Sequence, residues 1–169
     1  MNIHVTYGDP AALKAIQHGL GDEGIVLMEQ GNEAVLIQEN DGSASFAEAD
    51  SYTVLDASGD ISDGSFAVFN NIPVTEEGRE LFEQRFMGRA RKIEDTEGFG
   101  AIRVLRPLEN DTYVILTIWT GEQAFHNWQT SQAYEQAHQK RGTDEGIDKK
   151  PNIFSRPSFV TTYKKPEHA

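Results

Sequence analysis

Cysteine is absent from this chain of 169 residues. Its absence excludes a disulfide framework, a cysteine-ligated zinc site, an iron–sulfur cluster and a thiol nucleophile. No segment approaches the roughly 18 apolar residues of a membrane-spanning helix. The segment from Met1 to Val5 has neither the basic start nor the apolar stretch of a signal peptide. We therefore expect a cytoplasmic protein without membrane association.

Basic residues are also scarce, because 15 Lys and Arg stand against 27 Asp and Glu, for a net charge of −12. This charge disfavours nonspecific binding to nucleic acid or to an anionic membrane. Apolar residues make up 38% of the chain, which is too many for a disordered acidic polymer. A folded protein with a substantial core is the expected class.

The negative charge is concentrated in the first third of the chain. Residues 1–63 hold one base and twelve acids (−11), whereas residues 64–169 hold fourteen bases and fifteen acids (−1). The turn-rich segment from Asp56 to Gly64 separates the two parts. We predict an acidic N-terminal accessory region over 1–63 and a second, electrically balanced domain over 64–169.

The N-terminal region has the pattern of a β-α-β-β unit. Asp9 and Pro10 are suited to begin a helix, and Ala12, Leu13 and Ile16 give that helix an apolar face. A looser segment around residues 52–55 precedes the boundary. Three apolar runs have the length and composition of strands: His4–Tyr7, Ile25–Met28 and Ala34–Ile37.

The C-terminal part predicts the order βαββαβ. Thr75 is a helix cap, and Phe82, Phe86 and Ala90 recur at the spacing of one helix face. Thr120 with Gln123 resembles a capping box that opens a second helix. Four runs are strand-like: Phe66–Asn70, Ile102–Leu105, Tyr113–Trp119 and Phe159–Tyr163.

This order predicts an α+β, ferredoxin-like fold, in which a four-stranded antiparallel sheet carries both helices on one face. The other face must be covered, most simply by a second sheet that completes an α+β barrel. A partner chain or the degenerate N-terminal β-α-β-β region could supply that sheet. A homodimer and a monomer are therefore both open.

Three residues of the C-terminal part are candidates for a binding site. Asn70 is an amide in an apolar strand, although it could be a turn residue beside Asn71. Trp128 offers a flat apolar surface on the core side of its helix, although it could be plain core. His138 could ligate iron or be an ordinary exposed histidine. A helix break at Thr130-Ser131 would let Trp128 and His138 face one pocket.

The motifs around these residues resemble the antibiotic-biosynthesis-monooxygenase superfamily. The resemblance is strongest to the IsdG-type heme-degrading monooxygenases, and the full-length layout is similar to the longer HmoB-type members. The TRAP-like proteins (target of RNAIII-activating protein) share the length and the Leu105-Arg106-Pro107 stretch. The similarity rests on these segments: 66–70, 98–99, 115–119, 124–128, 137–138, 146–148, 153–157 and 160–163.

The resemblance implies that heme is both substrate and oxygen-activating cofactor. His138 would be the axial ligand of the heme iron, Asn70 would hydrogen-bond the distal ligand, and Trp128 would press on the porphyrin. The reaction implied is oxidative heme cleavage of the staphylobilin-producing type, with iron release. Electrons would come from outside, through a reductase or a small-molecule reductant.

Basic residues near this region suggest how anionic heme propionates could be held. Lys140 and Arg141 adjoin His138, and a second cluster comprises Arg89, Arg91 and Lys92. Both could equally be helix C-terminal bases that favour the helix dipole.

Two other functions stay open. One is a TRAP-like regulatory or heme-binding protein without catalysis, and the other is a cofactor-free monooxygenase that forms quinones from small phenols.

Overall fold

The structure, a computed structural model, describes residues 1–21, 23–87, 93–140 and 153–166, with the backbone alone for Met87 and residues 132–140. Within these ranges the chain forms eight strands and three α-helices. They are β1 (Asn2–Gly8), α1 (Pro10–Leu20), β2 (Ile25–Gln30), β3 (Glu33–Asn40), β4 (Asp50–Gly59), β5 (Phe66–Pro73), α2 (Arg79–Met87), β6 (Phe99–Pro107), β7 (Thr112–Trp119), α3 (Glu122–Lys140) and β8 (Phe159–Lys164). None of the helices in the described part of the chain is both long enough and apolar enough to cross a membrane.

The strands close into one antiparallel barrel in the order β1-β3-β2-β8-β5-β7-β6-β4. The C-terminal half contributes β8, β5, β7 and β6, which is the predicted four-stranded sheet. The N-terminal half contributes the remaining four strands. β4 pairs with β6 along a seam from Tyr52–Pro107 to Gly59–Ala101, and β2 meets β8 at Glu29–Lys164. The α+β prediction is confirmed, and this single chain supplies both sheets of the barrel.

Alternation along the strands divides the side chains between the barrel interior and the outer face. In β5, Ala67 and Phe69 belong to the interior core. Phe66, Val68 and Ile72 belong instead to an outer core with the residues of α2 and α3. A third, smaller core lies beneath α1, where Leu13 is buried and Ile16 partly buried. Ala12 of the predicted apolar face is exposed.

Strand β4 is longer than the sequence predicts. The loose segment expected around residues 52–55 is part of a ten-residue strand, Asp50–Gly59, so the N-terminal half is β-α-β-β-β. Strand β4 pairs with β1 on one side and β6 on the other. These long-range pairings stabilise a segment whose own apolar pattern is weak. Only residues 60–65 then form the turn between β4 and β5.

Two of the three predicted helix caps are present. The Asp9 carboxylate accepts a hydrogen bond from the Ala12 backbone N–H at 3.1 Å, and α1 begins at Pro10 as predicted. The Thr75 hydroxyl accepts from the Gly78 N–H at 3.1 Å and caps a 3₁₀ turn that leads into α2.

The predicted capping box at α3 is wrong. The helix begins at Glu122, one residue later than a cap at Thr120 requires. The Gln123 side chain donates to the Asn127 amide oxygen at 2.9 Å instead of turning back towards Thr120. The side chain thus supports the helix through a pair four residues apart.

A buried ion pair fills one end of the barrel. Arg103 of β6 is 4% exposed, and its Nε donates to Glu39 Oε2 of β3 at 2.6 Å. The guanidinium also donates to the carbonyls of Ser58, Gly59 and Ile102 at 3.0, 2.8 and 2.9 Å. Because β3 and β6 come from different halves, this network joins the halves through the barrel interior.

Candidate functional site

Asn70 lies inside β5, three residues before its end, so its interpretation as a strand-end turn residue is wrong. By alternation its side chain shares the outer face with Val68 and Ile72. It is partly buried, and its amide forms no hydrogen bond with the described residues. Val160, its pairing partner on β8, is 51% exposed, so the sheet beside Asn70 is not fully covered by the described residues. The Asn70 amide is therefore available to a ligand on this face.

A cavity of about 760 Å³ lies on the same outer face, between α2 and residues 153–158. Ile72, one alternating position beyond Asn70, lines it. The other lining residues combine apolar walls with two guanidinium groups, and they are Phe82, Arg85, Phe86, Ile153, Phe154, Ser155, Arg156, Pro157 and Ser158. Asn70 and Trp128 are not among the described residues that line it. An apolar cavity with a few charged groups suits an amphipathic anion.

The 153–158 segment is fixed against the sheet by Asp111. The Asp111 carboxylate accepts from the Ser155 hydroxyl at 2.8 Å and from Arg156 Nη2 at 2.6 Å. Hydrogen bonds from Ser155 and Thr112, together with the Arg156 charge, lower the pKa of Asp111 to about 2. Thr75 N–H also donates to the Ile153 carbonyl at 2.8 Å. One wall of the cavity is thus held by specific contacts.

Trp128 lies on the core side of α3, as predicted. It is partly buried, and its ring centroid lies 5.7 Å from that of Trp119 and 6.3 Å from that of Phe125. Phe125 in turn contacts Phe66 at the start of β5. Asn70 therefore lies along β5 between the α3 contact at Phe66 and the cavity at Ile72.

The predicted break in α3 is wrong, because the helix runs without interruption from Glu122 to Lys140. The Thr130 hydroxyl donates to the His126 carbonyl at 2.9 Å, which keeps Thr130 inside the helix. Ten residues of continuous helix separate Trp128 from His138 by about 15 Å along the axis and about 80° around it. The side chains of His138 and Lys140 lie outside the described residues, as do Ala90, Arg89, Arg91, Lys92 and Arg141.

Sequence reasoning missed the two guanidinium groups of the cavity. Arg85 follows Phe82 by three residues, and this spacing places both side chains on one helix face. In the sequence, Arg156 stands out only as part of segment 153–157, which resembles the family. What joins them is the docking of residues 153–158 beside β5, where Val74 and Phe154 form an isolated β-bridge. No local sequence pattern predicts that contact.

A polar network holds α2 against the sheet beside this cavity. Glu83 accepts from Arg106 Nε at 3.0 Å and Nη2 at 2.5 Å, and also from the hydroxyl of the fully buried Tyr113. The Arg106 hydrogen bond, assisted by that of Tyr113, lowers the pKa of Glu83. Burial and the same carboxylate raise the pKa of Tyr113 to about 12. The network therefore stabilises the position of α2 while Glu83 is ionised.

Glu83→Gln should destabilise the protein by about 1–2 kcal/mol at pH 7, because a charge-assisted contact becomes a neutral one. Since the Glu83 pKa is lowered by folding, its contribution is complete above about pH 4.3 and is lost as pH falls through the folded value. Urea unfolding at pH 7 and pH 3 should therefore show a smaller difference between variant and wild type at pH 3. Glu80→Gln, an exposed position on the same helix, is the control. An equal loss at both pH values would contradict the prediction.

Comparison with known proteins identifies the family. The family model described as antibiotic biosynthesis monooxygenase matches residues 65–140. A heme oxygenase (staphylobilin-producing) of Staphylococcus haemolyticus is 37% identical over 79 residues, which are 45% of this chain and 75% of that protein. The chain belongs to the antibiotic biosynthesis monooxygenase family.

Over longer alignments, this chain is similar to two kinds of protein. A heme-degrading monooxygenase of Listeria monocytogenes is 23% identical, over 93% of this chain and 95% of that protein. The signal transduction protein TRAP of Staphylococcus epidermidis is 21% identical over 83% of this chain and 84% of that protein. The structure of a major regulator of staphylococcal pathogenesis matches with a TM-score of 0.82 at 20% identity, covering 99% and 100% of the two chains. The monooxygenase and TRAP-like resemblances are both confirmed, and the fold is shared.

Proposed function

We propose that this protein is a heme-degrading monooxygenase, which cleaves heme oxidatively with O₂ and external electrons and releases iron. The observation that carries the proposal is the outer sheet face, where a cavity of about 760 Å³ is lined by Ile72. Asn70, two positions earlier in β5, has an amide that forms no hydrogen bond with the described residues. The relatives described as heme-degrading and heme oxygenase support this substrate. We further propose that residues 64–169 form the catalytic domain and that residues 1–63 are accessory.

The described residues suit heme as a ligand. Heme combines a flat apolar macrocycle with two carboxylates, so it requires apolar walls and cationic groups. Phe82, Phe86 and Phe154 supply aromatic walls, and Arg85 and Arg156 supply guanidinium groups that can bind carboxylates. Bound heme would supply the oxygen activation as well as the carbon skeleton that is cleaved, and a reductase or small-molecule reductant would supply electrons.

In this proposal three residues of the chain orient the substrate. His138 would bind the iron through a ring nitrogen. The Asn70 amide N–H groups would donate hydrogen bonds to the bound substrate and stabilise negative charge that develops during oxygen activation. Trp128, already packed on Trp119, presents its remaining surface to the porphyrin. We also propose a staphylobilin-type product, because the Staphylococcus haemolyticus relative, which aligns with 45% of this chain, is described as staphylobilin-producing.

We propose Arg85 as a propionate anchor, in addition to the Lys140 and Arg141 pair that the sequence suggests. Arg85 lines the cavity and forms no ion pair within the described residues, whereas Arg156 is already paired with Asp111. An available guanidinium can bind a propionate without first breaking another contact.

Arg85→Ala should weaken hemin binding by about tenfold at low salt, the equivalent of losing one partly exposed charge-assisted contact. The difference from wild type should shrink as salt is raised, because partly exposed charges are screened. Hemin titrations of both proteins at 20 mM and 500 mM NaCl would measure this. Lys14→Ala, which removes a base from α1 in the other half, is the matched control and should change little. An affinity loss in Arg85→Ala that does not depend on salt would indicate lost packing instead.

The proposed function is tested by adding hemin and then ascorbate to the purified protein under air. We expect a shifted Soret band on binding, its decay on reduction, and iron that an added chelator captures. Stable heme binding without decay, with ascorbate and with a flavin reductase, would support the TRAP-like regulatory alternative. Absence of binding combined with oxidation of small phenols would support the cofactor-free monooxygenase.

A further inference from the structure

The barrel end remote from the Arg103–Glu39 pair opens into a separate cavity of about 310 Å³. Five side chains define what we term the tyrosine mouth: Tyr7, Tyr52, Tyr163, Glu33 and Asp50. Asn71, Asn110, Thr112, Phe159 and Thr161 complete the lining described by the structure. Among these residues no Lys or Arg occurs, and Glu33 and Asp50 are the charged groups of the lining. The guanidinium groups of Arg79 and Arg156 donate to Asn110 and Thr112 of the lining at 3.1 and 3.3 Å.

Tyr52 is the best evidence that the mouth accommodates a ligand. The residue is 5% exposed and lines the cavity, yet its hydroxyl forms no hydrogen bond with any described residue. The hydroxyl oxygen reaches the cavity, because no fully buried side-chain polar atom of the described residues lacks a hydrogen-bond partner. Burial, and then the Asp50 charge, raise the pKa of Tyr52, so the phenol is neutral and keeps its proton. Its hydroxyl can accept from, or donate to, a molecule in the cavity.

Aromatic rings line the mouth beside these acids. The Tyr7 ring is 39% exposed, with its centroid 6.2 Å from that of Tyr163 and 6.5 Å from that of Phe69. Burial and the nearby Asp50 and Glu33 raise the pKa of Tyr7, which places both carboxylates within electrostatic range of its ring. Neither carboxylate forms an ion pair within the described part of the chain.

We propose that the tyrosine mouth binds a small organic cation of the alkylammonium class. The negative faces of aromatic rings attract such a cation, and the site is open to solvent, since Glu33 and Asp50 are exposed. Asp50 and Glu33 would neutralise its charge, and Tyr52 would hydrogen-bond an N–H or hydroxyl group of the ligand. The cavity volume lies at the lower end of the range for small-molecule sites, which favours a compact ligand. The two cavities share no described lining residue, and Arg156 of the proposed heme site donates to Thr112 of the tyrosine mouth at 3.3 Å.

The test uses choline as the probe and 3,3-dimethylbutan-1-ol, its uncharged analogue of the same shape, as the comparison. Calorimetric titration of the full chain should show saturable choline binding at least about tenfold tighter than binding of the alcohol. In NMR spectra, the ring signals of Tyr7, Tyr52 and Tyr163 should shift with the same saturation curve. Asp50→Asn/Glu33→Gln should weaken choline binding by about tenfold or more. Tyr52→Phe should reduce it less, because the ring remains.

The control variant Glu23→Gln/Asp63→Asn removes the same charge from exposed positions near the Arg103–Glu39 end of the barrel, where the Gly24 carbonyl accepts from the Glu39 N–H. It should leave choline binding within about twofold, because surface charges at that distance are screened. Circular dichroism would establish that both double variants are folded. Equal affinity for choline and the alcohol, absence of saturation, or an equal loss in both double variants would overturn the proposal. Displacement of choline by MgCl₂ at matched ionic strength would overturn it in favour of a metal site.

Discussion

His138→Ala is expected to lower hemin affinity by about 100-fold, or about 2.7 kcal/mol, and to remove the Soret shift that marks iron ligation. The reason is that, in the proposed function, His138 is the protein ligand of the heme iron, for which imidazole is a common ligand. Heme turnover with ascorbate should fall below detection in the same variant. Hemin titration and ascorbate-driven decay, measured by absorbance, test both expectations.

His126→Ala is the matched control, because His126 is an exposed histidine on the same helix and pairs with Glu122 at 3.1 Å. It should bind and degrade heme like wild type. Free imidazole should partly restore the Soret band of His138→Ala, which a merely structural role for His138 would not allow. If His138→Ala kept the wild-type spectrum, the assignment of the iron ligand would be wrong, although heme could still bind in the cavity.

Arg103→Met should destabilise the protein by about 3–5 kcal/mol, because it leaves Glu39 as an uncompensated charge inside the barrel. The side chains of Arg103 and Glu39 are 5% and 16% exposed, so solvent can replace little of the lost contact. The three carbonyls that Arg103 satisfies would also lose a donor. Urea unfolding, followed by circular dichroism, would measure the loss in the free energy of unfolding.

The double variant Arg103→Met/Glu39→Leu should be more stable than Arg103→Met, since it removes the isolated carboxylate. Lys14→Met, on exposed α1, is the control and should change the unfolding free energy by less than about 0.5 kcal/mol. If Arg103→Met cost under about 1 kcal/mol, the ion pair would not be what stabilises this end of the barrel.

Local patterns predicted most of the elements but not strand β4. The strands of the C-terminal sheet and the caps at Asp9 and Thr75 follow from residue type and periodicity, and the structure contains them. Strand β4 carries Asp50 and Asp56, which are depleted in strands, and its pairings with β1 and β6 override that preference. Similarly, Thr130 signals a helix break in the sequence but bonds back to His126 in the structure.

The candidate site was predictable only where it lies on regular elements. Asn70 and Trp128 were found from a strand and a helix pattern, and Trp128 lies on the core side that its pattern indicates. The cavity beside them depends on Arg85 and Arg156, which are brought together by docking of a segment without regular structure. The tyrosine mouth joins three strands distant in sequence, at Tyr7, Tyr52 and Tyr163. Strand topology brings such residues together, so the periodicity of the sequence does not predict that they form one site.

Closure of the barrel within one polypeptide frees its two halves to diverge. A barrel built from two copies of one chain must carry every substitution twice, so a change that helps one half is imposed on the other. Here each position occurs once, and the halves differ by ten units of formal charge, −11 against −1. One half carries the excess of acids, while the charges of the other half are nearly balanced. Covalent linkage thus allows the two halves of one barrel to carry very different surface charge.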